Sequence, residues 1–320
     1  MHDAQGRRTR PCPGLERQNK RDFPRNLRDF RPCLSNAAER SLEVVADKGG
    51  GQMEASQYET VPVHRSPLPP PRSVGAARRD WTDLATVPDL GTPFDPEMTR
   101  HLPEPARRWL QHAIRPGTPL SPAVWLRTHG RIRLGSWRSF RATQILRPPH
   151  GFIWAADARV AGLPVSGFDR FSGGDGEMRW RVLGMVPVMS ASGPDITRSA
   201  AGRLASEFVF VPAVALSSAV TWEPVGDHRA RADLTVDGTT HSVVLSVSPE
   251  GSLTELTLDR WGAPEGGAFD QHVFGARFGG EASYGGYTVP AMVRAGWWYG
   301  TGRWGRGEFI RFTLDQAEFL

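Results

Sequence analysis

The stretch Gly167–Glu223, GFDRFSGGDGEMRWRVLGMVPVMSASGPDITRSAAGRLASEFVFVPAVALSSAVTWE, decides the fold. It opens with a run ending in Phe168-Asp169-Arg170-Phe171, reverses on Gly173-Gly174-Asp175-Gly176 and continues through Glu177–Val188. Aspartate and glycine supply the left-handed and Asx conformations of a tight reversal, so these runs read as paired strands. After Gly193-Pro194 the period changes. Ile196, Ala200, Leu204 and Phe208 recur at every fourth position, which predicts a helix from Asp195 to Phe208, with Asp195 as N-cap and the apolar stripe facing a sheet. An apolar run then leads to Trp222.

Period-2 runs extend in both directions. Upstream are Val124–Leu134, Ser139–Leu146, Phe152–Val160 and Pro164–Phe171, separated by Gly135-Ser136, Pro148-Pro149-His150-Gly151 and Ala161-Gly162. Downstream are Val220–Pro224, Arg229–Val236, His241–Val247, Leu253–Arg260, Phe274–Ser283, Tyr287–Ala295 and Glu308–Phe319, with Asp237-Gly238 a strong hairpin signal. Pro103–Ile114 places Ala106, Trp109, Leu110 and Ala113 at helical spacing. No βαβ alternation is present, so the expected fold is mainly β. It is a single large curved antiparallel sheet of about 11–12 strands, an unclosed half-barrel, with one N-terminal and one central helix covering its concave face.

Charge divides the chain unevenly. Residues 1–80 hold 15 Lys plus Arg against 10 Asp plus Glu and so carry the whole net charge of +5; residues 81–320 hold 24 of each. The basic excess therefore belongs to a Pro-rich segment, expected to be a disordered tail, either an ordinary extension or in part non-native upstream sequence before Met53, with one β-rich domain over 81–320. A neutral body argues against a nucleic-acid partner. One interval stands apart: Arg107–Arg147 contains nine arginines and no acid, which reads as a solvated sheet face or as peripheral contact with an anionic surface. Cys12 and Cys33 are the only cysteines, both in the tail, which rules out a disulfide framework in the body. With no apolar span and no signal-peptide pattern, the expected location is cytoplasmic.

Motif searches find no GxSxG, HExxH, Walker A or EF-hand pattern, and neither cofactor nor metal is expected. Gly300-Thr301-Gly302-Arg303-Trp304-Gly305 matches GxGxxG but lacks the following helix that would hold a pyrophosphate. Asp169, Asp175 and Glu177 bracket one turn, where turn chemistry accounts for them more simply than acid/base work. The tryptophans stand out instead. Trp137, Trp154, Trp180, Trp222, Trp261, Trp297, Trp298 and Trp304 fall on or beside strands, with Met178, Met185, Met189 and Met292 among them. Rigid rings and flexible thioethers suit the lining of an apolar chamber.

From Leu102-Pro103-Glu104-Pro105 through Gly135-Ser136-Trp137, Gly151-Phe152-Ile153-Trp154, Gly193-Pro194-Asp195, Gly202-Arg203-Leu204, Glu207 and Val220-Thr221-Trp222-Glu223-Pro224 to Gly296-Trp297, the chain resembles a bacterial family of unknown function. That family is similar in its order of elements to the lipoprotein-localisation carriers, unclosed half-barrels with helices over a concave face that binds acyl chains. The resemblance implies binding of a hydrophobic or lipid-like small molecule. The candidate ligand-binding residues are Trp154, Met178, Trp180, Arg203, Glu207, Trp222 and Trp297, with no catalytic residue. The alternative is an enzyme acting on a small hydrophobic substrate, with Glu207 or Asp169 as base and Arg203 or Arg198 as anion clamp.

Overall fold

A computed structural model of the protein describes residues 69–87 and 92–320. The expected tail lies outside the described residues as far as position 68. Its last residues do not: Arg72–Ala77 form a 3-10 helix that leads into helix α1 (Arg78–Ala85). Helix α2 (Glu104–Ala113) and helix α3 (Pro194–Glu207) match the expected helices, and Pro at the first turn of each has its fixed φ where no N–H is required. The N-cap of α3 is Gly193 rather than Asp195, because Pro194 already occupies the first helical position.

Thirteen antiparallel strands form one open sheet: β1 (Val124–Leu134), β2 (Ser136–Arg147), β3 (Gly151–Val160), β4 (Leu163–Ser172), β5 (Asp175–Val182), β6 (Val186–Ser192), β7 (Val220–Gly226), β8 (Arg229–Val236), β9 (Thr239–Val247), β10 (Leu253–Gly262), β11 (Asp270–Tyr284), β12 (Tyr287–Trp297) and β13 (Glu308–Phe319). The order is β6-β5-β4-β3-β2-β1-β13-β12-β11-β10-β9-β8-β7, so β13 is central and β6 and β7 are free edges. The chain walks outward from β1 to β6, crosses through α3, and walks back from β7 to β13. Most neighbours are joined by short hairpins, the β12–β13 link by ten residues that include a short helical turn (Trp304–Gly307), and the long crossing from β6 to β7 carries the central helix over the sheet.

The expected run Glu177–Val188 is two strands, which raises the count from twelve to thirteen. It breaks at Leu183-Gly184, both left-handed (φ 54° and 69°). Met185 is 72% exposed at this hairpin and Met292 51% exposed on β12, so neither lines an interior.

Alternation along the strands builds two cores. Val124, Leu126, Leu146, Phe152, Phe171, Leu234, Leu245 and Leu256 face the concave side with Trp109, Leu110, Leu204 and Phe208 of the helical segments. Trp125, Ile145, Ile153 and Phe168 face the convex side, where Val74, Ala77, Trp81 and Leu84 cover them. The strands under α1 are thus apolar on both faces. At the rims the two wings approach: a Cβ at Gly174, in the β4–β5 turn, would lie 3.1 Å from Asp237 Oδ2 in the β8–β9 turn.

Convex-face registry also aligns Arg277, Arg294, Arg311 and Arg131 across β11, β12, β13 and β1. Like charges in direct opposition are destabilising. Glu308 relieves the middle of this ladder. It accepts Arg294 Nε and Nη2 at 2.6 and 3.0 Å and Arg311 Nε and Nη2 at 2.8 and 2.7 Å. Burial alone would raise the Glu308 pKa, but the hydrogen bonds and charges of the two arginines hold it at about 2, below its ordinary 4.5. Because the folded value lies below the unfolded one, Glu308 stabilises fully above about pH 4.5, and its contribution is lost as pH falls toward 2. Allowing for solvent at the half-exposed arginines, about 2 kcal/mol is at stake. Thermal denaturation from pH 7 to pH 2.5 is expected to show wild type losing more stability than Glu308→Gln. Parallel curves would remove this role.

Candidate functional site

The concave face is not packed solid. Between α3 and the sheet lies a cavity of about 270 Å³. One wall is Phe152, Trp154 and Met178 of β3–β5; the facing wall is Leu256, Phe274, Ala276, Ala295 and Trp297 of β10–β12; the floor includes Ile310 and Phe312 of β13; and Ala200, Arg203 and Glu207 of α3 form the roof. Close contacts hold this roof down. Gly176 on β5 leaves no room for a side chain, since a Cβ there would sit 2.6 Å from Thr197 Cα, and its N–H donates to Thr197 Oγ1 at 2.9 Å.

A polar cluster is set into the apolar chamber. Arg203 donates from Nε to Glu207 Oε1 at 2.7 Å and from Nη1 to Asp169 Oδ2 at 3.2 Å. Its guanidinium carbon lies 4.6 Å from the Phe152 ring centroid and 5.1 Å from that of Trp154, within cation–π range. The second oxygen of each acid is also held: Trp180 Nε1 donates to Asp169 Oδ1 at 2.9 Å, and Gln144 Nε2 donates to Glu207 Oε2. Burial pushes the Asp169 carboxyl up, opposed by Arg203 and by the Trp180 hydrogen bond.

Arg260 completes the cluster from β10, and sequence reasoning missed it. It follows Leu256 and Leu258 in the inward phase of the strand, a signal visible in the alternation. Its aliphatic stem passes α3 at Gly202, where a Cβ would stand only 3.1 Å from Arg260 Cγ. The guanidinium lies 4.9 and 5.2 Å from the rings of Phe274 and Trp297 and makes one hydrogen bond, from Nε to Ser199 O at 3.2 Å. Burial, then the charge of Arg203, lowers its pKa to about 9, against the opposing pull of Glu207 and Asp169. Arg260 therefore remains a cation at neutral pH.

Of the candidate residues, Trp154, Met178, Arg203, Glu207 and Trp297 line the cavity. Trp180 stands behind the wall, 5.8 Å from Trp154 between ring centroids, and orients Asp169. Trp222 fills space elsewhere: it packs 6.2 Å from Trp109 and 6.4 Å from Phe208 and donates to Ala215 O, because α2 covers its part of the concave face. Arg198 is outside the cavity, 3.8 Å over the Trp261 ring, whose Nε1 donates to Asp195. Asp169 and Glu177 do not form a pair, since Asp169 sits beside Met178 while Glu177 binds Arg170 and Arg179. Among the described residues no cluster of three or more His, Cys, Asp or Glu is placed to hold a metal ion.

This architecture is that of an open antiparallel half-barrel with a helix-roofed apolar cavity. The chain belongs to the family of unknown function DUF6544, which matches residues 92–309. Among solved structures it is similar to a LolA superfamily protein from Nitrosomonas europaea, at 13% identity and TM-score 0.38, covering 67% of this chain and 93% of that one. It is also similar to a putative outer membrane lipoprotein-sorting protein domain from Vibrio parahaemolyticus, at 9% identity and TM-score 0.36, covering 70% and 91%. No curated protein matches. No helix among the described residues is long and apolar enough to cross a membrane.

Proposed function

We propose that this protein binds a hydrophobic or lipid-like small molecule in the chamber under α3 and performs no chemistry on it. The observation that carries this reading is the cavity itself, about 270 Å³ walled by Phe152, Trp154, Met178, Phe274 and Trp297. Ligand pockets characteristically occupy roughly 300–1,000 Å³, so this volume, at about the lower end, suits one small apolar ligand. The same geometry weighs against the enzymatic alternative. Asp169, Arg203 and Glu207 do converge in one cavity, yet all four carboxylate oxygens already accept hydrogen bonds and both acids are paired with Arg203, the arrangement of a structural cluster.

In this reading the protein works in the cytoplasm. Exposed Arg127, Arg131 and Arg141, on the convex face away from the chamber, supply the peripheral contact with an anionic surface. No nucleic-acid partner is involved. The test is titration with the apolar fluorophore N-phenyl-1-naphthylamine. Saturable uptake at one probe per chain, competed by long-chain lipids, is expected; no uptake would defeat the proposal.

A further inference from the structure

The hydrogen-bond ledger inside the chamber is unbalanced. Asp169 and Glu207 have both oxygens satisfied, by Trp180 and Arg203 and by Arg203 and Gln144. Arg260 carries five N–H donors and uses one, toward the Ser199 carbonyl. Among the described residues it makes no direct ion pair, its nearest flat contacts are the Phe274 and Trp297 rings, and it lies in the cavity wall. Asp169 and Glu207 balance its charge only at a distance, and donors left without acceptors in such surroundings are costly unless something supplies them. Four unused N–H donors of one guanidinium therefore stand in the chamber wall, a set that suits a ligand bringing acceptors and negative charge.

We propose that the ligand of this chamber is a single-chain amphiphile with an anionic head, its carboxylate or phosphate held by the Arg260 guanidinium and its alkyl chain lying against Trp154, Phe274 and Trp297. The inference rests on the apolar-binding reading above and adds a polarity to it. The head lies under α3, where Gly202 admits the Arg260 stem, and the chain occupies the apolar remainder. A guanidinium offers paired N–H groups to two oxygens of one anion, so either head satisfies the same donors. A volume of about 270 Å³ suits a single alkyl chain.

Four twelve-carbon probes differing only in the head distinguish the outcomes: dodecanoate, dodecyl phosphate, dodecanol and dodecyltrimethylammonium, each competed against N-phenyl-1-naphthylamine on the full chain. Wild type is expected to bind at least one anionic probe at least tenfold more tightly than dodecanol, and the ammonium probe most weakly. Which anion binds better separates a fatty-acid source from a phosphate ester. Arg260→Met, close in length and apolar, is expected to erase the anion preference while dodecanol binding stays within about threefold. Equal affinity of wild type for dodecanol and both anions would overturn this inference and leave apolar binding standing; no competition by any probe would remove both. Should Arg260→Met fold poorly, the acid-to-alcohol ratio on wild type decides alone.

Discussion

Placing an aromatic ring inside the chamber is expected to abolish probe binding with little loss of stability. Ala276 and Ala295 face each other across β11 and β12 and both line the cavity. In Ala276→Phe the new ring projects into space occupied by no side chain. Its penalty should fall at or below the low end of the roughly 1–3 kcal/mol seen when well-packed cores are overfilled. Affinity for N-phenyl-1-naphthylamine should fall at least tenfold, a loss of about 1.4 kcal/mol in binding. Ser139→Phe, on the exposed convex face, is the control and should bind as wild type. A drop in melting temperature beyond roughly 8 °C with unchanged binding would mean that the site is solid core and that the probe binds elsewhere.

Removing Arg203 is expected to have the largest effect on stability. In Arg203→Met, Asp169 and Glu207 lose their shared counter-ion while remaining roofed by α3, with side-chain exposures of only 17% and 21%. Stripping one partner from such a cluster costs about 3 kcal/mol, the lower end of the range for buried pairs because some solvent reaches it. For a domain of this size that is roughly 6–12 °C in melting temperature. The loss should shrink as pH falls, since burial already raises the Asp169 pKa and protonation discharges the repulsion. Calorimetry at pH 8 and pH 5 reads both effects. A loss under 1 kcal/mol, or one independent of pH, would show that Arg203 is not the counter-ion of these acids.

Much of this architecture was legible because it rests on local chemistry. Gly173-Gly174-Asp175-Gly176 and Asp237-Gly238 mark their reversals by residue type, and the helical stripe of Ile196, Leu204 and Phe208 declares the side of α3 that is buried. The missed turn at Leu183-Gly184 has a different cause: leucine carries no signal for a positive φ, and the apolar run around it reads as one strand. Helix α1 was hidden by charged and proline-rich neighbours, and what fixes it is Trp81 docking on a convex face whose own partner could not be read from alternation.

Alternation also explains the site's partial legibility. In the structure Trp154, Met178 and Trp297 line the cavity, whereas Trp222 meets α2, and residue type on a strand cannot tell a ring at a cavity from a ring under a helix. Arg260 went unnoticed because an arginine at the end of a strand reads as solvated. Only the close approach of α3 at Gly202 makes it an interior charge.

Native mass spectrometry of the protein purified without detergent, followed by organic extraction of the same sample, tests the central claim most directly. An adduct of one small molecule per chain is expected, recovered in the organic phase as an alkyl-chain compound and absent from Ala276→Phe. A bare chain mass from wild type that also takes up no apolar probe would contradict it.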